Sequence, residues 1–178
     1  PQPKLAFGTA LAVGVESIAE YADVVLNERL DPVAFAQRIN ALLPDGIRVL
    51  EAREVPLRAP SLSAAIRAVR YEVTVPREVV DGRVAHERVE SFLARKEYPI
   101  TRERPKGPQQ IDLRAGVLEL SARPAPDGSV LLEMLLREGN GASIRPADLV
   151  AVLFSPGQAP LRVRKLERES EIAKADIE

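Results

Sequence analysis

Apolar residues recur along this chain at two spacings. From Val69 to Val75 every second residue is apolar or aromatic (Val69, Tyr71, Val73, Val75), the pattern of a strand with one buried face. From Ala85 to Ala94 the apolar residues Val89, Phe92 and Leu93 fall at helical spacing. Tyr98 to Arg104 predicts a strand, and Gln110 to Arg114 continues the extended region after a break at Pro105, Gly107 and Pro108. Val117 to Arg123 predicts a further strand. Pro126-Asp127-Gly128 predicts a turn, because Asp-Gly accepts positive φ. Its hairpin partner, Val130 to Leu136, is almost wholly apolar and is expected in the middle of a sheet. Gly139-Asn140-Gly141 predicts a loop. Arg145-Pro146 opens a helix to Leu153, with Ser143 or Ile144 near its cap, and Leu161 to Glu169 predicts the last strand. Residues 171–178 form a polar tail expected to fray.

The first third carries the same kind of pattern, less regularly. Leu5 to Phe7 predicts a short strand closed by Gly8, and Leu11 to Val15 is a second apolar run broken by Gly14. Glu20 to Leu26 alternates as a strand. Asp31-Pro32 opens a helix, with Asp as N-cap and Pro at the first helical position, and Val33, Ile39, Leu42 and Leu43 follow. Pro44-Asp45-Gly46 ends it. Ile47 to Val55 predicts a strand of imperfect alternation, and Ser61 to Ala68 a short helix or connector.

Two element orders emerge. Residues 69–170 read strand, helix, strand, hairpin, strand, helix, strand, which is the split βαβ plan with an inserted hairpin strand. Residues 1–58 read as the same plan without its opening strand and helix. The fold class expected is therefore α+β: two tandem ferredoxin-like (split βαβ) units, the first lacking its opening strand and helix. Such a unit leaves an uncovered sheet edge, to be filled by more chain or by a partner.

Composition narrows the chemistry. The 178 residues contain no Cys and one His, so disulfides, thiolate metal sites, a Cys nucleophile and any site needing two His are excluded. No cofactor and no metal is expected. No run of about 18 apolar residues marks a membrane span, and no signal-peptide pattern opens the chain; the expected location is cytoplasmic, with no membrane partner. Lys and Arg number 25 against 26 Asp and Glu, and 20 of the 25 are Arg. Arg suits phosphate and carboxylate through its planar fork, although a GC-rich genome enriches Arg, Ala and Pro as well.

No Walker A loop or dinucleotide-binding glycine pattern is present, and His86 reads as a surface residue. Glu119 and Glu133 either face each other across the Asp127-Gly128 hairpin or point to solvent. The strongest local signal lies at residues 95–114, with six cations (Arg95, Lys96, Arg102, Arg104, Lys106, Arg114) against three acids. Arg102 and Arg104 alternate with Glu103, so both are expected on one face of a strand. Arg162 and Arg164 repeat that pattern in the last strand, and the two faces are expected to merge. Such a patch supplies phosphate contacts without base specificity. A solvated strand face with local ion pairs is the alternative. Tyr98 is the one aromatic in the segment, which gives little support for base stacking.

At this point the chain resembles a known family. Pro1 to Leu11, Val13-Gly14-Val15-Glu16-Ser17, Glu20-Tyr21-Ala22-Asp23, Leu50 to Pro56 with Pro60-Ser61-Leu62, Arg104-Pro105-Lys106-Gly107 and Ile111-Asp112-Leu113-Arg114 are similar, in that order, to the radical-SAM-linked protein family. The likeness runs to about residue 168. Members of that family are encoded beside, or fused to, radical SAM proteins, often near ribonuclease E/G and ribosomal protein genes. They usually begin with a further strand and helix bearing a Ser-His-Leu-Asp-type motif, which this chain lacks. The resemblance implies a non-catalytic accessory of a radical SAM protein, binding RNA in RNA modification or ribosome-related processes. The chain itself has no Cys to hold the cluster of a radical SAM enzyme. Lys4, Arg102, Arg104, Lys106 and Arg114 are the expected polyanion contacts. Two alternatives stand beside this one: an RNA-directed enzyme with Asp23 or Asp112 as general base, and a protein-interaction scaffold.

Overall fold

The computed structural model describes residues 4–8, 11–105, 107–138, 144–157 and 161–170, the last four by their backbone. It is a mixed α+β structure. In chain order the elements are β1 (Lys4–Phe7), β2 (Val15–Ser17), β3 (Ala22–Val25), α1 (Pro32–Asn40), α2 (Leu62–Ala65), β4 (Ile66–Val75), α3 (Gly82–Leu93), β5 (Pro99–Arg102), β6 (Gln109–Asp112), α4 (Leu113–Gly116), β7 (Val117–Pro124), β8 (Val130–Arg137), α5 (Pro146–Phe154) and β9 (Arg162–Ser170).

Five strands form the main sheet, in the order β2-β9-β4-β8-β7. The β9-β4, β4-β8 and β8-β7 pairs are antiparallel, and short β2 adds to β9 in parallel. As its apolar run predicts, β8 is an interior strand, flanked by β4 and β7. The Asp127-Gly128 turn sets its register. Gly128 has φ of 83°, and Asp127 Oδ1 accepts from the Ser129 amide (3.0 Å) and hydroxyl (2.6 Å). The Ser129 hydroxyl is the main cause holding the Asp127 carboxyl below the usual carboxylate range.

One face of this sheet carries the core. Val73 and Val75 of β4 lie beside Val130, Leu132, Met134 and Leu136 of β8, and helices α3 and α5 cover them. Helix α3 starts where Asp81 accepts the Arg83 amide at 2.9 Å, and it buries Ala85, Val89 and Phe92, spaced four and three apart. Helix α5 has Pro146 in its first turn and buries Leu149, Val150, Leu153 and Phe154. Arg145 occupies its N-cap, while Ser143 lies outside the described residues and Ile144 is buried in the core. Close packing leaves no room at Gly116, where a Cβ would collide with the Ile144 side chain.

Three expectations need correcting. Among the described residues, the segment Tyr98–Arg104 does not join the main sheet; β5 pairs with β6 as a separate two-stranded sheet. Residues 47–55 form no strand. There the Asn40 side chain donates to the Val49 carbonyl (2.9 Å) and accepts from its amide (2.7 Å), which satisfies the backbone groups a neighbouring strand would have taken. Nor do β1, β2 and β3 make one sheet. β1 pairs with β3, whereas β2 extends the sheet of the later residues. The expected loop at Gly139–Gly141 and the tail at 171–178 lie outside the described residues.

Candidate functional site

The structure places the predicted basic residues in different settings. Arg102 ends β5 with its side chain turned inward; it is 7% exposed and its guanidinium is ion-paired with Asp148 in the first turn of α5. The expected solvent-facing Arg102/Arg104 pair is therefore not formed. Burial of the hairpin against α5 selects the inward rotamer, because Asp148 there neutralises the charge. Arg104 lies beyond the strand, is exposed, and its carbonyl accepts the Gly107 amide at 2.9 Å. Arg114 sits in α4, half-buried, with Nε donating to the Leu93 carbonyl (3.2 Å) and Nη1 to that of Val117 (3.1 Å). Lys4 is exposed on β1. Lys106 lies outside the described residues.

The arginines of the last strand do not merge with that segment either. Arg162 and Arg164 are on β9, in the main sheet, and both face Glu16 of β2 (3.0 and 4.0 Å). The open face of the sheet, opposite α3 and α5, carries more such pairs: Arg70 with Glu119 (2.7 Å) and Arg123 with Glu133 (3.1 Å). Glu119 and Glu133 thus each take an arginine partner. The Arg162 hydrogen bond is the main cause holding the Glu16 carboxyl below its ordinary value, and the same bond raises Arg162.

The two carboxylates weighed as general bases sit in structural roles or in shallow surroundings. Asp112 Oδ1 accepts the amides of Arg114 (2.9 Å) and Tyr98 (2.8 Å), capping α4 and fixing the start of β5. It holds the Arg114 backbone rather than its guanidinium. Asp23 lies on β3, paired through the backbone with Ala6. His86 is exposed on α3, as expected. Among the described residues no group of three His, Cys, Asp or Glu is placed to hold a metal ion.

Two features escape a reading of charge alone. One is a groove of about 290 Å³ between the C-terminal ends of α3 and α5, lined by Arg88, Ser91, Arg95, Tyr98 and Ser155 over a floor of Phe92, Val152 and Leu153. The Arg95 guanidinium lies 5.0 Å from the centroid of the Tyr98 ring, which is tilted against Phe92 at 5.5 Å. Arg88 Nη1 donates to the Leu153 carbonyl at 2.9 Å. In sequence, the spacing of Arg88, Ser91 and Arg95 was the available signal, but only the packing of α5 makes it a groove.

The other feature is apolar. Of seventeen large hydrophobic side chains exposed among the described residues, sixteen lie between Leu5 and Leu57, and the other is Leu118. Val13 is fully exposed, Leu57 94% and Leu42 82%. Helix α1 buries none of its residues, although its Asp31 cap (2.9 Å to the Ala34 amide) and Pro32 start are formed as predicted. Exposure on this scale within one stretch of chain is a mark of interaction surfaces.

Among the described residues, this stretch joins the main sheet through β2. β2 lies along β9, the Ile18 amide donates to the Lys165 carbonyl (3.1 Å), and buried Lys165 reaches Glu20 Oε1 at 2.8 Å. The Ser17 hydroxyl donates to that same oxygen at 2.7 Å.

No helix among the described residues is long and apolar enough to cross a membrane. No curated protein and no solved structure is found to match the chain. A family model does match, over residues 1–146, which covers all the elements up to α5, so the chain belongs to the family described as "uncharacterized protein conserved in bacteria" (DUF2344).

Proposed function

We propose that this chain is a non-catalytic accessory module that docks on a protein partner through the apolar side chains of residues 5–57. The carrying observation is the confinement of sixteen exposed large hydrophobic residues to that stretch. Each such side chain gains about 1.5–3 kcal/mol when fully buried, so a handful at one interface supplies useful affinity after the cost of association. The resemblance to radical-SAM-linked proteins implies the partner class, a radical SAM protein; a cytoplasmic setting is part of the same proposal. The antiparallel order β9-β4-β8-β7, with α3 and α5 as crossovers, supports a ferredoxin-like reading of residues 69–170. Residues 1–58, in this reading, are a partial unit of the same plan that the partner completes.

RNA binding is retained in narrower form. Lys4 and Arg104 are exposed, whereas Arg102 and Arg114 give their guanidinium groups to the fold. The test is titration of the purified chain with a purified radical SAM protein, by calorimetry. Val13→Ser/Leu42→Ser is expected to weaken the complex at least tenfold with an unchanged melting temperature. A wild-type chain that does not bind, or a variant that binds equally well, overturns the docking reading.

A further inference from the structure

We propose that the groove between the C-terminal ends of α3 and α5 binds single-stranded nucleic acid, with one base against Arg95 and Tyr98 and the adjoining phosphodiester against Arg88 and the Ser91 hydroxyl. This site is separate from Lys4 and Arg104 and does not depend on the docking reading. Its two arginines are among the cations that, within the described residues, no carboxylate neutralises. Arg29, Arg70, Arg77, Arg83, Arg123, Arg162 and Lys165 each have a carboxylate within ion-pair distance. Arg88 and Arg95 have none among the described residues, and their partners are a carbonyl and an aromatic ring.

The shape of the groove restricts the ligand. Its volume of about 290 Å³ stands at the small end of ligand pockets, which run to roughly 300–1,000 Å³. That admits one ring and its attached anion and excludes a dinucleotide cofactor. Arg95 is exposed over a half-buried Tyr98, so the guanidinium and ring offer a flat surface for a base, a form of contact that tolerates any sequence. Phe92, Val152 and Leu153 give the apolar floor.

Charge restricts it further. The C-terminal end of α5 carries about half a negative charge, and Arg88 is already turned to its Leu153 carbonyl. What remains is between one and two positive charges, suited to the single charge of a phosphodiester better than to the two of a terminal phosphate. Ser91 supplies a hydroxyl donor at the rim, while the Ser155 hydroxyl donates to the Ala151 carbonyl at 3.3 Å. Ser155 also ends α5 in the left-handed conformation (φ 48°), which turns the chain away and leaves this end open.

Fluorescence anisotropy with labelled single strands of roughly eight nucleotides, as RNA and as DNA of one sequence, at about 50–200 mM salt, tests the site. Arg95→Ala is expected to weaken binding by roughly tenfold or more, as loss of one stacked base does. Arg88→Gln is expected to reduce the salt slope by about one. Lys4→Ala/Arg104→Ala, at the other proposed cations, is expected to lose less affinity than Arg95→Ala. Tighter binding of RNA supports the site with the Ser91 hydroxyl reading the 2′-OH, and equal binding supports it with base and phosphodiester as the whole ligand. No binding to either strand overturns the proposal. So does a loss confined to the Lys4/Arg104 variant, or an equal loss in every variant.

Discussion

Residues 66–166 and residues 4–57 of this protein use apolar side chains in opposite ways. In the later stretch Val73, Val75, Val130, Leu132, Met134, Leu136 and Leu149 are all fully buried between sheet and helices. In the earlier one a comparable supply of Leu, Val and Ile faces outward, and among the described residues Ala19 is the one hydrophobic residue buried there. Hydrophobic content alone does not separate the two. What differs, among the described residues, is long-range pairing: β4 lies between two long partners, β8 and β9, whereas β1 pairs with nearby β3 alone. A strand with two long neighbours can carry helices on its face, and a two-stranded ribbon is marginal in water.

The largest expected effect falls where the later region buries charge. Arg102→Ala leaves Asp148 without its partner and is expected to cost about 3–5 kcal/mol, read as a shift of the urea midpoint with unchanged slope. Next comes Leu132→Ala at about 2–5 kcal/mol, against less than about 0.5 kcal/mol for Leu42→Ala in the earlier region. Equal losses at Leu132 and Leu42 would erase the contrast between the regions.

Glu20→Ala probes the join. It strands buried Lys165 and removes the acceptor of Ser17, with an expected cost of about 2–3 kcal/mol because Glu20 is one-third exposed. Hydrogen exchange should then rise in Val15–Ser17 before it rises in β4. The smallest effect is acid dependence at the same join. Arg162 holds the Glu16 carboxyl low in the folded state, against a smaller opposing effect of desolvation. The stabilisation is therefore present above the unfolded glutamate value and is lost as pH falls through the lowered folded one. Protection of the Ile18 amide should fall with acidification below about pH 4.5, and Glu16→Gln should flatten that dependence.

Much of the later region was legible in the sequence. Alternation placed β4, β7 and β9 to within a few residues, the apolar run of β8 announced an interior strand, and Asp127-Gly128 fixed the hairpin. Residues 47–55 misled because weak alternation cannot show that Asn40 will take the backbone bonds of Val49. Arg102 misled for a related reason. Alternation with Glu103 tells which residues share a face, not which face is buried, and Asp148 lies 46 residues away. The groove needed two helices packed at their ends, and the apolar surface needed knowledge of which strands lack neighbours.

Hydrogen exchange of the chain alone and in complex with a radical SAM protein tests the central claim most directly. The account predicts that β4, β8 and β9 exchange slowly in both samples, and that residues 4–57 exchange fast alone and become protected in the complex. New protection confined to the helices and sheet of residues 66–170, or slow exchange of residues 4–57 in the free chain, would contradict it.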